Sequence, residues 1–235
     1  MSVLTATLRL DVRLQARSRL YAIGVFVAVL SGIVARVLFE PAQAGNVLAV
    51  LYLLGVGGTT YIFGASLVLM DKSQGTLLAL GTSPLTSTAY MLSKAITLTT
   101  FATIESAIIY LVGFFGTPLD FAPMILGVVF LGLFYSFISM GQVARHDSVF
   151  SFLIPGAIVV GSVAQLPAMY VLEVGPPELW HLIPTQGPLL LMLAGDTSLA
   201  AWQWAYAIGM SLLSVALAAV WARQRFRRFI TLSEG

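Results

Sequence analysis

The sequence predicts an all-α membrane protein with six transmembrane helices. Three observations lead there. The 235 residues are 58% hydrophobic and 9% charged, with a mean hydropathy of +0.93. Soluble domains carry about 25% charged residues, and no soluble core absorbs this much apolar sequence. Apolar runs recur at lengths near the ~20 residues that cross a bilayer. Every second connection between those runs lacks Lys and Arg altogether.

Residues 1–19 come first and are not a span. Arg9, Arg13 and Arg17 recur every four residues as a basic stripe, with Leu4, Leu8, Leu10, Val12 and Leu14 on the rest of the cylinder. That pattern predicts an interfacial helix on an anionic leaflet. Span one follows from about Leu20 to Phe39. Ala42-Gln43-Ala44 resembles a signal-peptidase site, but the preceding apolar run exceeds a signal h-region, so no cleavage is expected. Arg36 and Glu40 stand four residues apart and are expected to share a helix face at the interface.

Span two runs from about Asn46 to Met70. Its small residues at spacing four, Gly55 with Thr59 and Thr60 with Gly64, allow close helix approach, either within the chain or at a dimer seam. Asp71 to Thr88 is the one sizeable polar interruption. Thr76 to Leu80 reads there as a short helix between Gly75 and Gly81, and Pro84 limits its extension. Leu77, Leu78 and Leu80 on so short a piece need a surface to cover, either headgroups or a partner protein. Span three runs from about Ala89 to Phe115. Lys94, near its cytoplasmic end, is expected to snorkel outward, whereas Glu105 lies near the middle. Eleven residues, about 16 Å of helix axis, separate the two. A carboxyl group at that depth is costly unless protonated, paired or facing water, so Glu105 is a substrate-pathway candidate as well as a candidate buried hydrogen-bonding group.

Span four runs from about Phe121 to Met140, and span five from about Val149 to Val171 with Pro155, Gly156, Gly161 and Gln165. A bend is expected there, with neighbouring helices taking up the freed backbone groups. Residues 172–196 contain an apolar run, Leu189 to Ala194, too short to span. It is expected as a re-entrant or interfacial helix, with Trp180 and His181 at headgroup level. Span six runs from about Leu199 to Trp221 and ends in Arg223, Arg225, Arg227 and Arg228. Thr59, Thr60 and Gln165 join Glu105 as polar groups that could line a pathway.

Charge sets the orientation. The segments before span one, between spans two and three, between spans four and five, and after span six hold the basic residues. The other three connections have no Lys or Arg and carry Glu40, Asp120, Glu173, Glu178 and Asp196. The positive-inside rule then puts both termini in the cytoplasm. Enzymatic chemistry has no support. There is no cysteine and no phosphate-binding Gly-x-x-x-x-Gly-Lys-Ser/Thr loop. His146 and His181 fall on opposite sides of the membrane, and no acid or histidine pair has metal-ligand spacing on one helix face. No metal, cofactor or nucleic-acid partner is expected for this chain.

The 71–88 stretch also resembles a known loop. Asp71, Gly75, Thr76, Leu77, Leu80, Ser83, Pro84 and Leu85, leading through Tyr90 to Lys94, are similar to the first cytoplasmic loop of ABC-2 type permeases. Gln74 stands where many members carry a second acid. Leu182-Ile-Pro-Thr-Gln-Gly-Pro-Leu-Leu-Leu resembles the corresponding stretch of actinobacterial fluoroquinolone export permeases. The resemblance covers residues 1–235 as a single ABC-2 type transmembrane domain. It implies an elbow helix over 1–19, a coupling helix within 71–88 that docks on an ATP-hydrolysing subunit, and short external re-entrant helices within 172–196. It further implies a transport subunit in a bacterial plasma membrane, paired with a second permease copy or a sister permease. ATP-binding cassette subunits would carry the ATP and Mg, and amphipathic drugs would be exported. The alternative is an ATP-independent carrier or channel, which predicts internal repeats or several intramembrane ionisable groups. The sequence has no convincing repeat and one central carboxyl.

Overall fold

The computed structural model describes residues 3–77 and 85–228, without the side chains of residues 3 and 162–164. Helices follow one another and no strand occurs among the described residues. Helix α1 spans Val3–Arg17, and α2 spans Leu20–Leu38. Arg19 between them is left-handed, with φ 61°, and breaks the chain into an elbow. A continuous helical run over Pro41–Ser73 contains α3 (Ala44–Leu51), a wide π turn (Tyr52–Val56) and α4 (Gly57–Ser73). Helix α5 spans Ser87–Gly113 and α6 Phe121–Val143. Helix α7 (Val149–Ile158) passes into a second π turn (Val159–Ala164), and α8 is Ala168–Val171. The short α9 (Pro177–Trp180) and α10 (Gln186–Leu193) precede α11, Ala201–Phe226.

Among the described residues, five helices are long and apolar enough to cross a membrane: α2, the Pro41–Ser73 run, α5, α6 and α11. The segment expected as span five is shorter and broken. Pro155 lies inside α7, the helix widens after Ile158, and regular structure lapses between Ala164 and Ala168. Its two ends nonetheless lie at opposite ends of the bundle. It starts beside Lys72, which bonds Asp147, and Tyr170 and Val171 share a pocket with Asn46 of α3.

Close approach of α2 to α5 sets the frame. Gly24, Ala28, Gly32 and Ala35 form a buried stripe at helical spacing. A Cβ on Gly24 would collide with the Glu105 carboxyl and the Phe101 ring, and one on Gly32 with Val112. The small-residue seam is thus on span one and internal. The pattern noted on span two is divided. Gly57 abuts Tyr135 and Gly64 abuts Ser139, while Gly55 faces open space. One further expectation fails. Helix α2 ends at Leu38, so Arg36 and Glu40 do not share a helix face. Glu40 instead caps the next turn, its backbone N–H donating to Gln43 Oε1 at 3.2 Å. Every residue of α10 is buried, and the helix packs among α3, α6 and α11. Its apolar run is covered by the protein itself. His181 sits among the rings of Tyr170, Trp202 and Tyr206.

Candidate functional site

Two polar features bear on the sequence expectations. The first joins three elements where α4 ends. Lys94 projects inward from the start of α5. Its Nζ lies 3.0 Å from Asp11 Oδ1 of α1 and 2.9 Å from Asp71 Oδ2 of α4. Lys94, Asp11 and Asp71 are 2%, 4% and 3% exposed. The expectation that Lys94 snorkels is therefore corrected, because two carboxylates hold its ammonium inside. Each acid takes a second donor: Tyr90 Oη donates to Asp71 at 2.6 Å, and Ser93 Oγ donates to Asp11 at 2.5 Å. The ammonium also lies 4.7 Å from the Tyr90 ring centre, within cation–π range. Gln15 of α1 extends the contact, donating to Thr97 Oγ1 at 2.8 Å and accepting from Tyr21 Oη. Buried charges persist when paired and hydrogen-bonded in this way.

This cluster fixes the start of the polar interruption. Helix α4 stops in a left-handed turn at Gly75, φ 69°. Gly75 N–H donates to the Lys72 carbonyl and Thr76 N–H to the Asp71 carbonyl, each at 3.0 Å. That is the double bond pattern by which glycine ends helices. Thr76 is exposed and continues the turn. Leu77 is 6% exposed and packs into the chain's own core. It needs no external surface, contrary to expectation, because the chain curls back after Gly75. Leu78, Leu80, Ser83 and Pro84 lie outside the described residues. Lys72 reaches the neighbouring connection, donating to the carbonyls of Ala144 and His146 and to Asp147. Partial burial, then Arg145 and Lys72 nearby, hold the His146 imidazole below its ordinary pKa.

The second feature is a groove of about 490 Å³ between α4 and α7, lined in part by Leu54, Gly55, Thr59, Val160 and Gln165. Both π turns contribute to its walls, and Gln165 Nε2 donates to the Leu54 carbonyl across it at 3.3 Å. Such turns frequently occur at functional sites. Thr59 Oγ1 lies 2.9 Å from Glu105 Oε2 and 3.0 Å from the Val56 carbonyl. Glu105 is 2% exposed and sits behind Thr59. Thr60 is buried, with its hydroxyl bonded back to the Val56 carbonyl. Of the four pathway candidates, then, Thr59 and Gln165 line the groove, Glu105 backs it, and Thr60 lies outside its lining.

Residues 2–234 match the fluoroquinolones export permease protein family. The chain belongs to this family. Two curated relatives are the fluoroquinolones export permease proteins of Mycobacterium tuberculosis strains CDC 1551 / Oshkosh and ATCC 25618 / H37Rv. Each is 26% identical over 244 residues, covering 100% of this chain and 99% of the relative.

Sequence reasoning named Tyr90 and Lys94 but missed Asp11 and Ser93 of this permease's ion cluster. A signal was present. Asp11 is the one acid of α1, off the arginine stripe and four residues before Gln15, so both share a face. Ser93, Lys94 and Thr97 form a matching polar set on α5. Two polar faces on otherwise apolar helices satisfy each other by meeting.

Proposed function

We propose that this chain is the membrane-spanning subunit of an ATP-driven exporter of ABC-2 type that moves fluoroquinolone-like amphipathic drugs out of the cell. Family membership supports drug export. The observation that carries the mechanism is the buried Asp11–Lys94–Asp71 cluster, which ties the start of the 71–88 loop to α1 and α5. A push on that loop by an ATPase subunit is then delivered to three elements together. Asp71, Gly75, Thr76, Leu77, Leu80, Ser83 and Pro84 belong to the coupling segment in this reading. Asp71 and Leu77 act from inside, as anchors, and the exposed Gln74 and Thr76 offer contact.

The groove with Thr59 and Gln165 is the drug-facing wall, and Glu105 behind Thr59 receives the drug's basic amine. Residues 149–171 complete a six-span layout in the plasma membrane with both termini cytoplasmic, since their ends sit at opposite ends of the bundle. A second permease copy or sister permease faces this one, and ATP and Mg are bound by two cassette subunits below.

Cells expressing the complete exporter should keep expelling a fluorescent fluoroquinolone when an uncoupler collapses the proton gradient while glycolysis maintains ATP. They should stop when ATP is depleted. Efflux that ceases with the gradient while ATP remains high would replace this reading with a proton-coupled carrier.

A further inference from the structure

The elbow helix covers an apolar groove that the proposed transport cycle does not use. Its volume is about 780 Å³. Leu8 and Val12 of α1 form one wall, and Ile96 and Ile104 of α5 form the other. Ile96 and Ile104 are eight residues apart, so the groove follows α5 for roughly 12 Å. Arg9 and Arg13 also line it. They stand one turn apart on α1, both exposed, and neither has an ionic partner among the described residues. The nearest acid on α1, Asp11, faces away and is held by Lys94 and Ser93.

We infer that this groove is a binding site for one anionic phospholipid. The two arginines take the phosphate and an acyl chain lies along Ile96 to Ile104. Charge complementarity selects the occupant. Guanidinium groups one turn apart converge on a phosphate through charge-assisted hydrogen bonds, and the apolar floor beyond them accepts hydrocarbon but no second charge. A zwitterionic choline headgroup would bring its own cation beside two arginines, so the site discriminates by headgroup charge. The bound lipid touches α1 and α5, the helices that carry Asp11 and Lys94. It therefore braces the elbow against the ion cluster. This inference stands without the ATP-driven reading, since it needs only that the chain be embedded in a bilayer.

Native mass spectrometry of the detergent-purified chain tests it, with phosphatidylglycerol and phosphatidylcholine titrated separately. Phosphatidylglycerol should bind one copy at a concentration about tenfold below phosphatidylcholine, a preference worth about 1.4 kcal/mol. Arg9→Gln with Arg13→Gln should erase that preference and leave phosphatidylcholine binding unchanged. Thr100→Trp, on the exposed groove lining, should weaken both lipids by filling the acyl track. Equal phosphatidylglycerol binding by the parent and the double-arginine variant would overturn the site. So would displacement of the lipid by a fluoroquinolone carboxylate at matched concentration, which would make the groove a drug portal.

Discussion

Replacing Lys94 with Met should leave Asp11 and Asp71 buried without their shared cation and cost about 3–5 kcal/mol, the range for breaking a buried ion pair from one side. Met nearly matches the Lys stem in length and flexibility, so packing changes little and charge dominates. The expected result is a large drop in thermal midpoint in detergent and loss of the monodisperse species. The triple variant with Lys94→Met, Asp11→Asn and Asp71→Asn should recover much of the midpoint, because neutral amides tolerate burial once hydrogen-bonded. Tyr90 and Ser93 still have acceptors in it. If the single variant is as stable as the parent, the cluster is not a structural latch. If the triple variant recovers stability but not export, the charges themselves serve coupling. Full recovery of export would contradict the proposed transmission role.

Changing Glu105 to Gln should separate drugs by charge. The amide is nearly isosteric, and its carbonyl can still accept from Thr59, so the fold should persist. What disappears is the carboxyl offered to a basic amine. A charge-assisted hydrogen bond contributes about 1.5–3 kcal/mol, so efflux of amine-bearing fluoroquinolones should fall on the order of tenfold or more. An analogue lacking the basic amine should be expelled at the parental rate. Unchanged efflux of both compounds would remove Glu105 from the pathway. Equal loss of both would assign it to packing against Gly24, whose missing side chain leaves room for the carboxyl.

The long apolar helices were legible because length and hydropathy are local properties, and α2, α5, α6 and α11 fall near their expected ranges. A helix over the first residues was legible from the arginine period, and α1 spans Val3–Arg17. What failed depended on tertiary contact. Lys94 read as a snorkelling residue because a single cation near a span end usually reaches water, and nothing local shows that Asp11, some eighty positions away, waits beside it. Leu77 looked exposed because nothing local shows that the left-handed turn at Gly75 folds the leucine inward. The bend expected in span five was the exception, because Pro155 is a local signal, and the helix ladder is interrupted there and in the turn after Ile158. The π turn before Thr59 left no mark in composition, yet it shapes the groove wall. Glu105 was recognised as buried and polar, but its partner was not, since Thr59 lies on another helix.

Co-purification decides whether the 71–88 loop couples this permease to an ATPase. The tagged chain would be extracted from its native host in mild detergent and its partners identified, in parallel with Gln74→Arg and Thr76→Arg. Both residues are exposed, so the variants should fold, whereas Leu77 is buried and unsuitable. The account predicts an ATP-binding cassette subunit with the parent and its loss from the variants at equal permease yield. Recovery of the parent with no ATPase under conditions that preserve a second permease would contradict it.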